Sequence, residues 1–292
     1  MPSVRTAALE IGYLELGPAD GVPVVLLHGF PDDVHAYEAV APALAAAGRR
    51  VLVPWLRGYG PTRFLDDAAP RSGQQAALGC DLLGFLDALG VRAATLVGHD
   101  WGGRAACIVA VLWPERVRGL VSIGGWNIQD IAAAARPAAP VQELRYWYQW
   151  YLHTERGRAG LAAHRREFGR LLWRMWSPNW AFDEATFERT AASWDNPDFV
   201  DVVVHSYRHR YAASPGDPAL EAIEQRLAAA PPIGVATVAL DGEADGVTPP
   251  APGDRHVAHF SGPYRRVLVP RAGHFLPREA PQVVVEAVQS LP

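Results

Sequence analysis

The 292-residue sequence contains no lysine, and all 27 residues in its Lys+Arg count are arginine. A lysine Schiff base and a P-loop lysine are therefore excluded, and with them pyridoxal-phosphate chemistry and ordinary nucleotide hydrolysis. Cysteine is almost as scarce. Cys80 and Cys107 are the only two. Neither has a Cys or His partner at metal spacing, and two cysteines do not make a disulfide framework, so both read as buried thiols. An excess of one charge is also missing. The net charge of −4 leaves no basic field for nucleic acid or an acidic membrane surface. No apolar run approaches the roughly 20 residues a membrane span requires. The N-terminal "MPSVRTAALEIGYLELG" lacks the basic start and apolar middle of a signal peptide, so a cytoplasmic location is expected. Internal repeats and low-complexity linkers are absent too. What is present, 49% hydrophobic and 20% charged residues, is a globular composition sized for one large domain or a core plus an insertion.

Alternation around Leu9–Leu16 predicts an antiparallel edge hairpin. Short apolar runs follow at Val22–Leu27, Arg50–Val53, Thr95–Val97, Leu120–Ile123, Val235–Leu240 and Val267–Val269. Runs apolar on both faces belong to strands covered on both sides, hence to a parallel sheet. They alternate with helical patterns such as Ala36–Ala47, Gln74–Leu89 and Arg104–Trp113, which predicts a doubly wound α/β fold. The rhythm breaks between Trp126 and Pro231, where the chain is rich in Trp, Tyr, Arg and His and shows no strand. This predicts a helical insertion of roughly 100 residues lying over the sheet as a lid. The expected division is a core of residues 1–125 and 231–292 and a cap of residues 126–230.

In open α/β sheets, ligands gather beyond the carboxyl ends of the strands. The polar residues at those ends are His28 in "LLHGFPDD", Asp100 in "GHDWGG", Asp245 in "LDGEADGVTPP" and His274 in "PRAGHFLP". Asp100, Asp245 and His274 follow the order nucleophile, acid, histidine, and "GHDWGG" has the form of a nucleophile elbow with Asp in place of Ser. Asp241 competes with Asp245 as the acid, and Asp100 could instead cap the following helix. His28 reads as structural. The pairs His205/His209 and His256/His259 imitate metal spacing but lack further ligands, so no metal and no cofactor are expected.

With "HGFP", "RGYG", "GHDWGG", the Asp245 loop and "AGH" in this order, the chain resembles α/β-hydrolases of the epoxide hydrolase and haloalkane dehalogenase branch. The resemblance spans nearly the whole chain. It implies an α/β-hydrolase fold with a helical cap inserted after the sixth strand. Chemistry explains the aspartate. A serine attacking a saturated carbon would leave an ether, whereas a carboxylate leaves an ester that water can cleave. The resemblance further implies that His274 activates the water, Asp245 orients His274, and the N–H groups of Phe30 and Trp101 form the oxyanion hole.

Two segments bear on the leaving atom. "RYWYQWYLHTERG" and "SYRHRY" resemble the epoxide hydrolase lid segments that carry two tyrosines, here Tyr148 and Tyr207; Trp147 could serve as donor in place of Tyr148. Phe30, Trp101 and Trp147 are also candidate substrate contacts. A haloalkane dehalogenase would carry Asn where Phe30 stands. A fluoroacetate dehalogenase would carry Arg where Trp101 stands, and only Arg104 matches its second arginine; on this chain Arg104 reads as lying on the helix surface. The resemblance therefore favours an epoxide hydrolase acting on a small-molecule epoxide, with haloalkane or haloacid dehalogenation next and a weakly catalytic binding or biosynthetic accessory protein third. The Trp-rich lid suggests an aromatic or polyketide-derived epoxide, though most single Trp residues read as packing. A homodimer is left open.

Overall fold

Strands form where the sequence is apolar on both faces. In the computed structural model, which covers residues 1–292, nine of them make one sheet. They are β1 (Ser3–Arg5), β2 (Leu9–Leu16), β3 (Val22–Leu27), β4 (Arg49–Pro54), β5 (Arg63–Phe64), β6 (Ala94–His99), β7 (Val117–Ile123), β8 (Thr237–Gly242) and β9 (Tyr264–Val269). The spatial order is β1-β2-β4-β3-β6-β7-β8-β9, with β5 pairing on β2. β2 is antiparallel to β1, β4 and β5, and the strands from β4 across to β9 are parallel. Residues 9–16 are one continuous strand, and the hairpin partner expected within that stretch is β1.

Helices α1 (Val40–Ala46), α2 (Gln75–Ala88) and α3 (Trp101–Leu112) alternate with these strands. Between β7 and β8 the chain forms no strand and seven α-helices: α4 (Pro140–Arg145), α5 (Trp147–His153), α6 (Glu155–Ala163), α7 (Arg165–Trp176), α8 (Glu184–Ala191), α9 (Phe199–His209) and α10 (Glu221–Ala228). Setting aside the two-residue β5, this segment follows the sixth strand. Helices α11 (Leu276–Glu279) and α12 (Pro281–Gln289) close the chain. Helix α1 packs with α12 and α2 with α3, which covers the sheet from both sides. No helix is long and apolar enough to cross a membrane. Cys107 is buried as expected, but Cys80 is only half-buried, because it sits at the rim of α2.

The order of the strands positions the site. From β3 the chain steps outward to β4, then returns past β3 to place β6 on its other side. The loops leaving β3 and β6 therefore diverge, and the crevice between them is the place where such sheets bind ligands. Helix α3 starts directly beneath it. Ten consecutive residues from Trp101 to Ala110 are buried, so this helix has no solvent face. The β6–α3 corner is tight enough to require glycine on both arms. A Cβ on Gly98 would strike the Gly102 carbonyl oxygen, and one on Gly102 would strike the Leu27 carbonyl oxygen on β3.

Gly102→Ala is therefore expected to destabilise the fold by at least about 2 kcal/mol, because backbone, not a flexible side chain, must yield. Urea unfolding of the variant against the native protein measures it; an unchanged midpoint would contradict the close approach.

Candidate active site

Asp100 stands at the tip of the corner with φ +51°, a conformation that non-glycine residues rarely adopt. Helical backbone cannot begin until Trp101, so the side chain is thrown forward, out of the strand-to-helix turn. It does not cap α3: no N–H of the helix reaches it. Its Oδ1 accepts instead from the Phe30 N–H at 2.8 Å, across the crevice from β3. Trp101 opens α3, and the first N–H groups of a helix have no partner within it.

The partners come from the ends of β8 and β9. Asp245 lies in the turn after β8, and its Oδ2 sits 2.9 Å from Nδ1 of His274, beyond β9. The rest of the Asp245 carboxylate is held by the N–H groups of Val247 and Thr248, each at 2.8 Å, and by the Thr248 hydroxyl at 3.1 Å. Burial works to raise the Asp245 carboxyl, but the His274 charge and these donors outweigh it and hold it below the usual range. Burial likewise works to lower His274, yet the Asp245 charge and hydrogen bond leave it above its ordinary value. The competing Asp241 is taken by Arg266, whose Nε lies 2.6 Å away.

The helical segment holds these two loops in register. The Trp176 carbonyl, at the C-terminus of α7, accepts from both Gly246 N–H at 2.9 Å and His274 N–H at 3.1 Å. A helix end has such carbonyls to spare. The Nε2 of His274 is buried and has no protein partner, and it borders a cavity of about 200 Å³ that Asp100 and Asp245 also line.

Tyr148 lines the same cavity. Its hydroxyl accepts from Gln149 Nε2 at 2.8 Å. The Gln149 oxygen is fixed by Arg210 Nη1 at 3.2 Å and the Tyr211 hydroxyl at 2.8 Å, so the amide cannot turn, and the Tyr148 proton is left to point elsewhere. Tyr207, on α9, meets the Tyr148 ring edge-on with centroids 5.2 Å apart. It also packs edge-on against Phe30 at 5.4 Å. Burial drives both phenols well above their ordinary value, with Arg210 opposing it at Tyr148 and the neighbouring Tyr148 and Asp100 adding to it at Tyr207. The rings of Phe30, Trp101 and Tyr207 pack on one another beside Tyr148.

The structure corrects the sequence expectations for Trp147 and Arg104 and places the other candidates. Trp147 faces away from the cavity and packs on Tyr151 and Phe168, because neighbouring residues on α5 point in different directions and Tyr148 takes the inner one. Trp173 and Trp194 are fully buried packing residues, and of the Trp residues only Trp126 and Trp176 line the cavity. Arg104 does not lie on a surface: α3 has none to offer there, and the side chain is buried against the cavity. His205 is occupied on both ring nitrogens, by Gly73 N–H and the Pro215 carbonyl; His259 stacks on Trp126. No cluster of His, Cys, Asp or Glu could hold a metal. His28 is buried, accepting from Leu56 N–H and contacting the Gly29 carbonyl.

Residues that the motifs did not single out also border the cavity: His99, Gln129, Gln149, Trp176 and Arg210. His99 lies against His274, ring centroids 4.7 Å apart. Burial and the His274 charge push it down to about 4, so it stays neutral. The Trp176 indole N–H is buried without a partner. Arg210 lies one turn beyond Tyr207, a spacing that was visible in "SYRHRY".

The family described as the alpha/beta hydrolase fold matches residues 22–281. Epoxide hydrolase A of Mycobacterium tuberculosis is 26% identical over 98% of this chain and 94% of its own length. Bifunctional epoxide hydrolase 2 of Sus scrofa is 38% identical over 42% of this chain, and the match spans only 20% of that longer protein. A crystal structure from Klebsiella pneumoniae, assigned provisionally as an epoxide hydrolase, superimposes with a TM-score of 0.97. It is 46% identical, over 99% of this chain and 95% of that one. The chain belongs to the α/β-hydrolase family, within its epoxide hydrolase branch.

Proposed function

We propose that the protein is an epoxide hydrolase that opens a small epoxide to a diol through a covalent ester on Asp100. The observation that carries this reading is a carboxylate at the nucleophile corner, with Oδ1 already on a backbone N–H and Oδ2 free. Oδ2 attacks a ring carbon; the ring C–O bond breaks, and the departing oxygen takes a proton from Tyr148 or Tyr207. The bond formed is an ester. His274 Nε2 then removes a proton from water, which attacks the Asp100 acyl carbon. Negative charge develops on Oδ1, where the Phe30 and Trp101 N–H groups receive it, each contributing about 3 kcal/mol in the transition state. Collapse expels the diol, whose leaving oxygen takes the proton of the added hydroxyl; Asp100 is restored with one oxygen from water, and the proton held by His274 returns to the tyrosinate. Residues 126–230 serve as a cap over the core of residues 1–125 and 231–292, supplying the tyrosines. The cavity lining of Arg, Gln, His and Asp suits a small polar epoxide better than the flat aromatic one suggested by composition.

His274→Gln is expected to form the ester and not release it. Intact-protein mass should rise by the full mass of the epoxide, since ring opening expels nothing. A haloalkane would add its mass less hydrogen halide, and that result would replace epoxide hydrolysis with dehalogenation. One turnover of native enzyme in heavy-oxygen water should label the Asp100 carboxylate; label in the diol alone would mean direct hydration.

Tyr148→Phe and Tyr207→Phe should each slow alkylation by about 10- to 1000-fold, as loss of an acid or oxyanion donor does. Rapid-quench alkylation at the native rate in both would place the oxygen donor elsewhere.

Ester hydrolysis requires neutral His274. With its proton affinity raised by Asp245, the rate should rise with pH through a midpoint above the ordinary histidine value of about 6.5. Asp245→Asn should move that midpoint down and cost up to about 10⁴-fold in hydrolysis. An unshifted pre-steady-state pH profile would show that Asp245 does not act on His274.

A further inference from the structure

Two guanidinium groups face the cavity without a carboxylate of their own. Arg104, one turn beyond Asp100 on α3, is 5% exposed, and its Nε donates to the Asn127 carbonyl at 3.3 Å. Arg210, just past α9, donates to the Gln149 oxygen at 3.2 Å. With its amide oxygen turned toward them, Gln129 accepts from Arg104 Nη2 at 3.3 Å and from Arg210 Nη2 and Nε at 3.3 and 3.0 Å. Two like charges thus share one neutral oxygen.

Other buried arginines of the chain are paired. Arg57 Nε lies 2.6 Å from Asp81, and Arg278 Nη2 lies 2.6 Å from Asp32. That is the usual condition for burying a guanidinium. The remaining cavity carboxylates are engaged elsewhere, Asp245 by His274, Asp241 by Arg266 and Asp254 by the His256 N–H. Asp100 is the one anion close to Arg104. Burial, with Arg210 alongside, pushes Arg104 down to about 10, so both groups remain charged at neutral pH. One nucleophilic carboxylate faces two cations.

The charge balance worsens as the proposed reaction proceeds. Once Asp100 becomes an ester it is neutral, and both guanidinium groups are left without an anion. A substrate that brings its own carboxylate removes this imbalance. The same two cations offset the repulsion between that carboxylate and Asp100. Guanidinium groups match a carboxylate in shape as well as charge. Through Gln149, Arg210 is also tied to the Tyr148 hydroxyl, which sets the spacing between the bound acid and the ring-oxygen donor. We infer that Arg104 and Arg210 bind the carboxylate of a small epoxy acid. This rests on the hydrolase reading above and names its substrate class.

The test compares 2,3-epoxybutanoate with its primary amide and with styrene oxide, at pH 8. Butanoate and butanamide serve as unreactive probes in thermal unfolding. The native enzyme should prefer the acid to the amide by at least about 10-fold in kcat/KM, and butanoate, not butanamide, should raise Tm. In Arg104→Gln and Arg210→Gln the preference for acid over amide should fall about 10- to 100-fold, the worth of a charge-assisted contact. The comparisons on native protein stand even if a variant fails to fold. Equal turnover of acid and amide, with no Tm shift from butanoate, would overturn the anion site and leave epoxide hydrolysis intact. No turnover of any of the three epoxides, together with a butanoate shift lost in both variants, would overturn the hydrolase reading and uphold the anion site.

Discussion

The site depends on one backbone constraint, the corner at Asp100. A non-glycine residue at φ +51° costs about 1–3 kcal/mol and persists only when its surroundings over-determine it. Here they do. β6 is buried along its length, α3 has no solvent face along its first ten residues, and the two arms touch at Gly98 and Gly102. Neither arm can relax without opening the sheet. The consequence is that Asp100 projects into the crevice between β3 and β6, where the Phe30 N–H can reach it. The hydrogen bond to Oδ1 then distinguishes the two carboxylate oxygens before any substrate arrives.

The Phe30 loop must be fixed as firmly as the corner. Asp32 and Asp33 follow Phe30 closely, and both are fully buried. Asp32 pairs with Arg278 of α11, which lies under the Trp173 ring of α7. Asp33 accepts from the hydroxyls of Ser193 at 2.5 Å and Thr190 at 3.2 Å, both from the segment between β7 and β8. Trp173 donates to the Pro31 carbonyl at 2.8 Å. Combined with the Trp176 carbonyl that clamps the Asp245 and His274 loops, these contacts make α7 a brace between the Asp100 side and the His274 side. The helical segment is thus part of the frame of the site as well as part of its wall. Breaking a buried pair such as Arg278–Asp32 would leave a charge without a partner at about 3–5 kcal/mol, next to the donor that holds Asp100.

What the sequence made legible follows from how local each signal is. Strand runs, the Gly-flanked corner and the residues immediately after each strand are short-range features, and β3 matches its expected bounds of Val22–Leu27. The placement of Asp100, Asp245 and His274 needs only strand order. Side chains on helices were harder, since their role depends on what the helix packs against. Arg104 is the one charged residue in "WGGRAACIVAVL", and that isolation was the available sign that it is buried with a purpose. Trp147 and Tyr148 are adjacent, and only the packing of α5 on α9 decides which faces inward. Arg210 and Gln149 come from segments far apart in sequence, so no spacing rule could bring them together.

The tyrosines give the physical distinction between the two chemistries open to an aspartate at this corner. A halide leaves as a stable anion and needs only N–H donors around it. A ring-opened epoxide leaves an alkoxide, a far stronger base, and it needs a proton. Burial raises Tyr148 and Tyr207 well above the ordinary phenol, so both stay protonated at any working pH. Such a group is a weak acid toward water and still a competent one toward an alkoxide, which binds protons more tightly. Gln149 adds the directional half of the device. By donating to the Tyr148 oxygen at 2.8 Å, it occupies an acceptor site on the hydroxyl and stabilises the tyrosinate that proton transfer would create. The amide is locked by Arg210 and Tyr211, so this donor cannot swing away when charge develops. A departing halide has no use for a locked, high-affinity proton donor; a ring-opened epoxide does.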